Sequence, residues 1–180
     1  MRELYQIFPS AFTDNQINKI LDLVSNESLL NASTFSSKIP SEDIRKSKVC
    51  WLSEDWIKNL LWEYILKVNN KSFKINVENN SEVQFTKYCS EDNCHYDWHQ
   101  DVNWNGQSDL DRKLSVTVQL SDADSYEGGD FEFDELKTNA NFRAKGTVLV
   151  FPSYLRHRVL PVSYGMRQSL VSWFKGPRWR

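Results

Sequence analysis

The amino-acid sequence predicts an α+β protein that is mainly β, a sandwich or jelly-roll barrel buttressed by N-terminal helices. Three observations lead to this fold class. Apolar residues recur at helical spacing in the first 70 of the 180 residues. From about residue 73 the apolar period falls from 3.6 to 2. No helical pattern interrupts the runs that follow, so we expect their strands to pair antiparallel.

Two helices are expected before the strands. Residues 13–16 (Thr-Asp-Asn-Gln) have the form of a capping box, and apolar residues follow at positions 17, 20, 21 and 24. The second helix starts near Ser53, with Glu54 and Asp55 in its first turn, where the helix dipole favours anions. Its wide apolar stripe predicts packing against the face of a sheet. The stripe consists of Trp56, Ile57, Leu60, Leu61, Tyr64, Ile65 and Val68.

Strands are expected from about residue 73 onward. Apolar and polar residues alternate at 73–77, 114–120 and 130–134. Gly128 and Gly129 mark a turn, and Gly146 opens an apolar run at 147–151. Residues 163–166 are interpreted as a hairpin loop that would bring His157 and Arg167 side by side. In the first half of the chain, only residues 31–48 have a loop-like composition.

Length and composition predict one soluble domain over residues 1–180, with helical support at about 10–70 and a jelly-roll core at about 73–176. The net charge of -2 gives no support to nucleic acid as a partner. The N-terminus has no apolar signal-peptide core, and no stretch is long enough to cross a membrane, so we expect neither secretion nor a membrane partner. Cys50, Cys89 and Cys94 lack metal-type spacing and are expected as reduced thiols in the cytoplasm.

The chain has three histidines, His95, His99 and His157. His99 and Asp101 are two residues apart and would point the same way from a strand. His95 and Asp97 repeat this pattern with the same parity, so spacing alone leaves both pairs open. Two imidazoles and one carboxylate form the metal face of non-haem Fe(II) oxygenases. An isolated His-x-Asp pattern is a weak signal, because solvated surface pairs of this kind are common.

Arg167 follows His157 by ten residues, and Ser169 lies two residues further on. An inward arginine with a hydroxyl on the same face of a strand suggests a bidentate clamp for a carboxylate. Polar residues at 115, 117 and 119 form one face of another strand. That face either lines a pocket or is exposed to solvent, and the pattern does not separate the two.

The second half of the chain also carries an ordered series of short motifs. The series consists of Tyr88, Tyr-Asp-Trp-His-Gln-Asp at 96–101, Arg-Lys-Leu-Ser-Val-Thr-Val-Gln-Leu-Ser at 112–121, Tyr-Glu-Gly-Gly-Asp-Phe at 126–131, Gly-Thr-Val-Leu-Val-Phe-Pro-Ser at 146–153, His157, Val159, Pro-Val at 161–162, Gly-Met-Arg-Gln-Ser at 165–169 and Trp173. From about Val83 to Phe174, the chain thereby resembles the 2-oxoglutarate- and Fe(II)-dependent oxygenases, in particular the prolyl 4-hydroxylase-like branch. The resemblance implies a double-stranded β-helix, the cupin-like form of the jelly roll.

The resemblance also implies a set of site residues. Members of the family carry an aromatic residue three positions before the metal histidine, and Tyr96 holds that position before His99. His99, Asp101 and His157 would then bind Fe(II), and His95 would lie at the rim. By the same resemblance Arg167 pairs with the 5-carboxylate of 2-oxoglutarate. Further cosubstrate contacts are expected from Tyr88, Ser169, Thr117 and Gln119, the last standing where many members have a tyrosine.

The implied reaction is hydroxylation of a C–H bond, coupled to conversion of 2-oxoglutarate and O2 to succinate and CO2, with ascorbate as a candidate reductant. Trp173 and Arg112 match positions that contact peptide substrates in the family, and Trp98 is expected beside them at the pocket mouth. The leading substrate is a prolyl residue in a peptide or protein, and a free amino acid or another small molecule is the alternative.

Three other functions compete with this interpretation. The acidic balance disfavours a nucleic-acid demethylase. A zinc hydrolase would need a general base beside the metal and would have no use for Arg167. A non-catalytic metal-binding jelly roll would have no chemical reason to keep the arginine together with all three ligands.

Overall fold

The computed structural model describes residues 4–34, 41–137 and 140–180, apart from the side chains of Ser41 and Glu42. The helices in this part are α1 (Asp14–Ser25), α2 (Ser41–Ile44) and α3 (Asp55–Val68), with a π-helical turn at Asn69–Phe73 and a 3-10 turn at Ala123–Ser125. The strands are β1 (Gln6–Phe8), β2 (Leu30–Asn31), β3 (Arg45–Lys46), β4 (Lys48–Leu52), β5 (Ser81–Cys89), β6 (His95–His99), β7 (Leu110–Gln119), β8 (Tyr126–Gly128), β9 (Phe131–Phe133), β10 (Val148–Pro152), β11 (His157–Val159) and β12 (Val162–Pro177).

The strands form two antiparallel sheets of unequal size. The large sheet has the order β1-β10-β7-β12-β5-β4-β2, and β8 pairs with the first residues of β12. The small sheet has the order β3-β6-β11-β9. An apolar cluster joins the two sheets, because Phe133 of β9 packs with Leu149 and Phe151 of β10. The chain therefore crosses repeatedly between two facing sheets.

Helices α1 and α3 cover the outer face of the large sheet, as their apolar stripes predict. The capping box of α1 is present, since the Thr13 hydroxyl accepts from the backbone N–H of Gln16 at 3.3 Å and the Gln16 side chain accepts from the backbone N–H of Thr13 at 2.9 Å. Helix α3 starts at Asp55 without a side-chain cap bond and buries Ile57 and Leu61 in the main core. Among the described residues, no helix is long and apolar enough to cross a membrane.

Strand β7 shows how the large sheet separates its two faces. Leu114, Val116 and Val118 belong to the core under the helices. The alternating polar residues face the small sheet, because the Ser115 hydroxyl reaches Asp101 and Thr117 lines a pocket between the sheets. Of the two interpretations left open for this polar face, the structure shows the pocket for Thr117, while Ser115 is buried behind Asp101.

Two predicted elements are wrong. Residues 73–77 do not form a strand, because the π-helical turn ends at Phe73 and Lys74 is left-handed at φ 51°. The Asn69 side chain then accepts from the backbone N–H of Ile75 at 2.7 Å and donates to its carbonyl at 2.8 Å. Their alternation reflects one-sided packing on the helical core, which Phe73, Ile75 and Val77 all contact.

Residues 163–166 are not a hairpin loop either, because they lie within β12. Strands β11 and β12 belong to different sheets, and the chain turns between them at residues 160–161. The segment 31–48 holds the end of β2, α2 and β3, and its residues 35–40 lie outside the described part.

Candidate metal centre

The two strands at the centre of the small sheet bring three side chains together. His99 ends β6, Asp101 follows two residues later, and His157 begins β11 directly opposite His99. The Asp101 carboxylate oxygens lie 3.7 Å from His99 Nε2 and 3.6 Å from His157 Nε2. One donor atom from each residue falls within a group no wider than 4.8 Å. Three donors converge on one point, as the sequence predicted.

A β-bulge explains the spacing between Tyr96 and His99. His157 pairs with His99 and Val159 pairs with Tyr96, so three residues of β6 span the same length as two of β11. The extra residue puts Tyr96 and His99 on the same face, where their rings stack at 3.4 Å between centroids with a 7° interplanar angle. His95 lies apart from this group, and its ring nitrogens face the backbone oxygens of Asn93 and Asp43.

Backbone carbonyls fix the tautomer of both histidines. His99 Nδ1 lies 2.8 Å from the Asp97 carbonyl, and His157 Nδ1 lies 2.8 Å from the Leu155 carbonyl. A carbonyl oxygen only accepts, so each Nδ1 carries the proton and each Nε2 presents its lone pair to the cluster. Burial and the neighbouring His157 lower the pKa of His99 to about 3, which keeps its ring neutral.

Asp101 is buried and supplies the negative charge of the cluster. The Ser115 hydroxyl donates to Asp101 Oδ2 at 2.6 Å, and the Ser153 hydroxyl lies 2.9 Å from Ser115. Burial alone would raise the pKa of Asp101, but the neighbouring imidazoles and the Ser115 hydroxyl hold it below its usual value. Two imidazoles and one carboxylate, all on one side of a point, fit a divalent transition metal that keeps open positions.

Arg167 lies in the pocket that adjoins this cluster. It comes from β12 of the large sheet, and only 4% of its surface is exposed. Its guanidinium lies 5.6 Å from the centroid of the Tyr88 ring, and in the described part of the chain its side chain has no ion pair. A Cβ on Gly129 would come within 3.1 Å of Arg167 Cδ, so the glycine turn makes room for the arginine. The pocket therefore holds a buried cation beside a metal-type donor set.

The family described as the 2OG-Fe(II) oxygenase superfamily matches residues 83–175. The chain belongs to this superfamily. The matched range contains all three donors of the cluster and Arg167. Because the family is defined by Fe(II) and 2-oxoglutarate, these two cofactors are the ones that the cluster and the arginine imply.

The curated relatives include PKHD-type hydroxylases. The chain is 39% identical to one from Synechococcus sp. strain CC9311 over 83 residues, which is 44% of this chain and 36% of that protein. It is 27% identical to one from Rippkaea orientalis strain PCC 8801 over 175 residues, which is 92% of this chain and 75% of that protein. In several of these relatives the match therefore spans little more than a third of the length.

Solved structures confirm the jelly-roll fold class. A prolyl-4-hydroxylase from Pseudomonas putida superposes with a TM-score of 0.74 at 19% identity, over 98% of this chain and 94% of that one. The viral collagen prolyl hydroxylase of Paramecium Bursaria Chlorella virus-1, in a 2OG complex, gives a TM-score of 0.73 at 19% identity, over 97% of each chain. The predicted resemblance to the 2-oxoglutarate- and Fe(II)-dependent oxygenases is confirmed by the family match. The two solved structures, which are named as prolyl hydroxylases, show the fold that the chain shares with that branch.

The other predicted cosubstrate residues of this oxygenase divide into two groups. Tyr88, Ser169 and Thr117 line the pocket beside Arg167. Gln119 does not line it: its side-chain nitrogen lies 3.1 Å from the Tyr126 hydroxyl, under the turn at the end of β7. A direct contact between Gln119 and a cosubstrate therefore has no support in the structure.

The predicted substrate residues also divide. Trp173 lines the pocket, and the Arg112 guanidinium lies 3.8 Å from the centre of its ring while pairing with Glu82 at 3.0 Å. Trp98 does not line this pocket: the Arg158 guanidinium lies 4.4 Å from its ring, and Trp98 borders a separate cavity beside His99. The bulge is the reason, because it places Trp98 and Tyr96 on opposite faces of β6 (three and two residues sharing one length).

Sequence reasoning missed Arg45, which lines the same pocket from β3. It stands in the segment that was interpreted as a loop, in a strand of only two residues, Arg45–Lys46. No periodicity could single it out. Its position follows from the pairing of Arg45 with Tyr96, which only the folded chain shows.

Proposed function

We propose that this protein is an Fe(II)- and 2-oxoglutarate-dependent dioxygenase that hydroxylates a C–H bond, with release of succinate and CO2. One observation carries the proposal. Arg167, which is buried and has no ion pair in the described part of the chain, shares one pocket between the two sheets with two histidines and an aspartate. A buried guanidinium without a counter-ion is costly, and an anionic ligand beside the metal removes that cost.

The metal would be held by His99, Asp101 and His157. Their unprotonated nitrogens and the ionised carboxylate meet the requirement that metal ligands be deprotonated. The carbonyls behind the imidazoles and the Ser115 hydroxyl behind the carboxylate orient these donors. When bound, the iron and 2-oxoglutarate supply the oxidising power for the reaction, and the chain supplies positions and charges.

Arg167 would bind the distal carboxylate of 2-oxoglutarate. Its planar fork suits a bidentate contact, and the hydroxyls of Thr117, Tyr88 and Ser169 border the same space. The opposite wall is apolar, formed by Phe131, Phe151 and Val159 and the edges of the imidazoles. Such a wall keeps bulk water from the donors and strengthens the charge interactions inside the pocket.

We propose a prolyl residue in a peptide or protein as the prime substrate. The aromatic ring of Trp173, which lines the pocket, suits contact with a pyrrolidine ring and an extended proline-containing chain. The names of the structural relatives, prolyl-4-hydroxylase and collagen prolyl hydroxylase, support the same choice. A free amino acid or another small molecule is the second candidate, because the same pocket would admit it.

A zinc hydrolase fits the pocket less well. Apart from the three donors, none of the described residues that line the pocket is an aspartate, glutamate or histidine. A metal-bound water would therefore lack a general base, while Arg167 would be left without a role. Ascorbate as the reductant, a cytoplasmic location and one domain over residues 1–180 stay predictions.

The test is an anaerobic titration of the purified protein with Fe(II), with and without 2-oxoglutarate. We expect the weak visible charge-transfer band of the 2-oxoglutarate chelate to form only when both are present. The band should be lost in His99→Ala and weakened in Arg167→Ala. His95→Ala is the matched control, because this third histidine lies outside the cluster. Iron binding without a band would exclude the cosubstrate and the proposed function with it.

A further inference from the structure

A second buried arginine faces the pocket that holds Arg167. Arg45 is 6% exposed, and it lines the pocket from the edge strand of the small sheet. In the proposed function, the distal carboxylate of 2-oxoglutarate pairs with Arg167. That carboxylate is used by Arg167, so it gives the Arg45 guanidinium no anionic partner. What Arg45 binds is therefore a separate question.

Neutral groups hold the Arg45 side chain in place. Its Nε donates to the Ser47 hydroxyl at 3.0 Å, and Nη2 donates to the Gln84 side-chain oxygen at 2.9 Å. The guanidinium lies 4.6 Å from the centre of the Tyr96 ring, which also stacks on His99. Arg45 has no ion pair among the side chains that the structure describes, which do not include that of Glu42. Within this part of the chain, the charge is oriented but not neutralised.

The unused donors of Arg45 point to an anionic ligand. A guanidinium offers five N–H donors, and only two of them, those to Ser47 and Gln84, have a partner among the described residues. A buried cation is stable only when a counter-charge and hydrogen bonds compensate its lost hydration. A planar carboxylate is the group that matches the fork of an arginine best.

The two arginines rest on different parts of the pocket wall. Arg167 pairs in register with Tyr88 of β5, whereas Arg45 bonds to Gln84 of the same strand. Four residues of a strand span about 13 Å, so the two anchors are well separated. Tyr96 stands between Arg45 and the metal ligand His99. Arg45 is thus placed on the side of the pocket away from the Arg167 clamp.

We propose that Arg45 binds a carboxylate of the prime substrate, so that the substrate class is one with a carboxylate near the carbon that is hydroxylated. The carboxylate comes either from an acidic residue next to a prolyl residue or from a free imino acid. This inference rests on the proposed function for the reaction, but the binding step can be measured without turnover.

Two matched pairs of probes test the charge alone. The first pair is acetyl-Ala-Pro-Glu-Ala-amide and acetyl-Ala-Pro-Gln-Ala-amide, and the second is L-proline and L-prolinamide. Each is titrated against the Fe(II)- and 2-oxoglutarate-loaded protein without O2, with tryptophan fluorescence as the readout, since Trp173 lines the pocket and Trp51 lies 6.0 Å from it. The same probes are then tested for stimulation of succinate formation in air.

We expect the acidic member of one pair to bind about tenfold to a hundredfold more tightly than its neutral partner, as a charged hydrogen bond would give. Arg45→Gln should remove this preference and leave the neutral probe and the KM for 2-oxoglutarate unchanged. Arg45→Lys should keep part of it. Arg158→Gln is the control, because Arg158 pairs with Glu132 on the outer face of the small sheet. Glu42 is an acidic residue three positions before Arg45, and its side chain lies outside the described part. Glu42→Gln should also keep the preference for the acidic probe.

The outcomes separate the two carboxylate sources and the two proposals. A preference within the peptide pair identifies an acidic residue, and one within the proline pair identifies a free imino acid. Equal binding of both members in both pairs overturns the inference, as does an equal loss for both members in Arg45→Gln protein that retains its circular dichroism. Charge-selective binding without any succinate formation would refute the proposed function and leave the carboxylate site standing.

Discussion

The two sheets contribute to the site through different kinds of backbone. The small sheet gives the metal donors from short strands, β6 and β11, whose pairing is broken by a bulge. The wall that we propose for the cosubstrate comes from the longest strand of the large sheet, β12, which pairs with β5 in unbroken register from Met166 to Phe174. The irregular backbone of the small sheet brings three side chains to one point. The regular backbone of the large sheet places hydroxyl groups and the Arg167 guanidinium at intervals along a surface.

The difference follows from what each ligand needs. A metal ion needs donors from several directions at about 2 Å, which an alternating strand alone does not provide. An extended dicarboxylate needs contacts in one plane at repeated spacing, which neighbouring strands do provide. Changes in the small sheet should therefore abolish binding, and changes in the large sheet should weaken it.

The largest effect is expected for a donor on the small sheet. His157→Ala removes one of three donors, and we expect the affinity for Fe(II) to fall by more than the roughly hundredfold that losing an outer partner costs. Anaerobic titration with Fe(II), or with Co(II) as a spectroscopic substitute, measures it. His95→Ala serves as the control, and unchanged metal affinity in His157→Ala would contradict the assigned donor set.

The next effect is expected on the large sheet. Arg167→Gln leaves a carboxylate unpaired in a buried site, so we expect the KM for 2-oxoglutarate to rise roughly a hundredfold while Fe(II) affinity in the absence of 2-oxoglutarate stays the same. Arg167→Lys keeps the positive charge but not the two-pronged guanidinium, so its KM for 2-oxoglutarate should lie between those of the unmodified protein and Arg167→Gln. A fall in Fe(II) affinity together with an unchanged KM would mean that the arginine supports the metal ligands.

The same contrast explains what the sequence could predict. The alternation puts Thr117 on the polar face of β7, and Arg167 and Ser169 on one face of β12. It did not tell a pocket from solvent, and that choice came from the family resemblance. Helix α1 could be predicted from the sequence because its capping box satisfies backbone N–H donors with side chains only three residues away. The choice of His99 over His95 needed the family pattern, since the bulge that separates them is a tertiary feature.

The errors arise where local pattern and long-range pairing disagree. Residues 73–77 alternate because one side packs on the helices, and no neighbouring strand pairs with them in the described part of the chain. Trp98 was expected at the pocket mouth beside Trp173, but it borders a separate cavity beside His99. Arg45 reaches the site only through the pairing of β3 with β6, which joins residues 51 positions apart. Nothing in a local window contains that contact.

A third prediction concerns the support that the large sheet gives to the small one. Ser115→Ala removes the 2.6 Å hydrogen bond to Asp101, and we expect Fe(II) affinity to fall about tenfold. Ser172→Ala is the matched control, since Ser172 lies buried on the other side of the large sheet and has no hydrogen-bond partner among the described residues. Equal losses in both variants would point to general destabilisation of the sheet.

The smallest effects are expected for two tryptophans, Trp98 of the small sheet and Trp173 of the large sheet. Trp98→Ala changes a residue outside the pocket and should leave Fe(II) affinity and the KM for 2-oxoglutarate within about twofold, because its ring contacts Arg158 and not the pocket. Trp173→Ala opens the pocket edge and should weaken binding of a proline-containing peptide by roughly tenfold. Fluorescence titration of both variants with the same peptide measures the difference. If Trp98→Ala weakened peptide binding as much as Trp173→Ala, the bulge would not separate the two faces of β6 in solution.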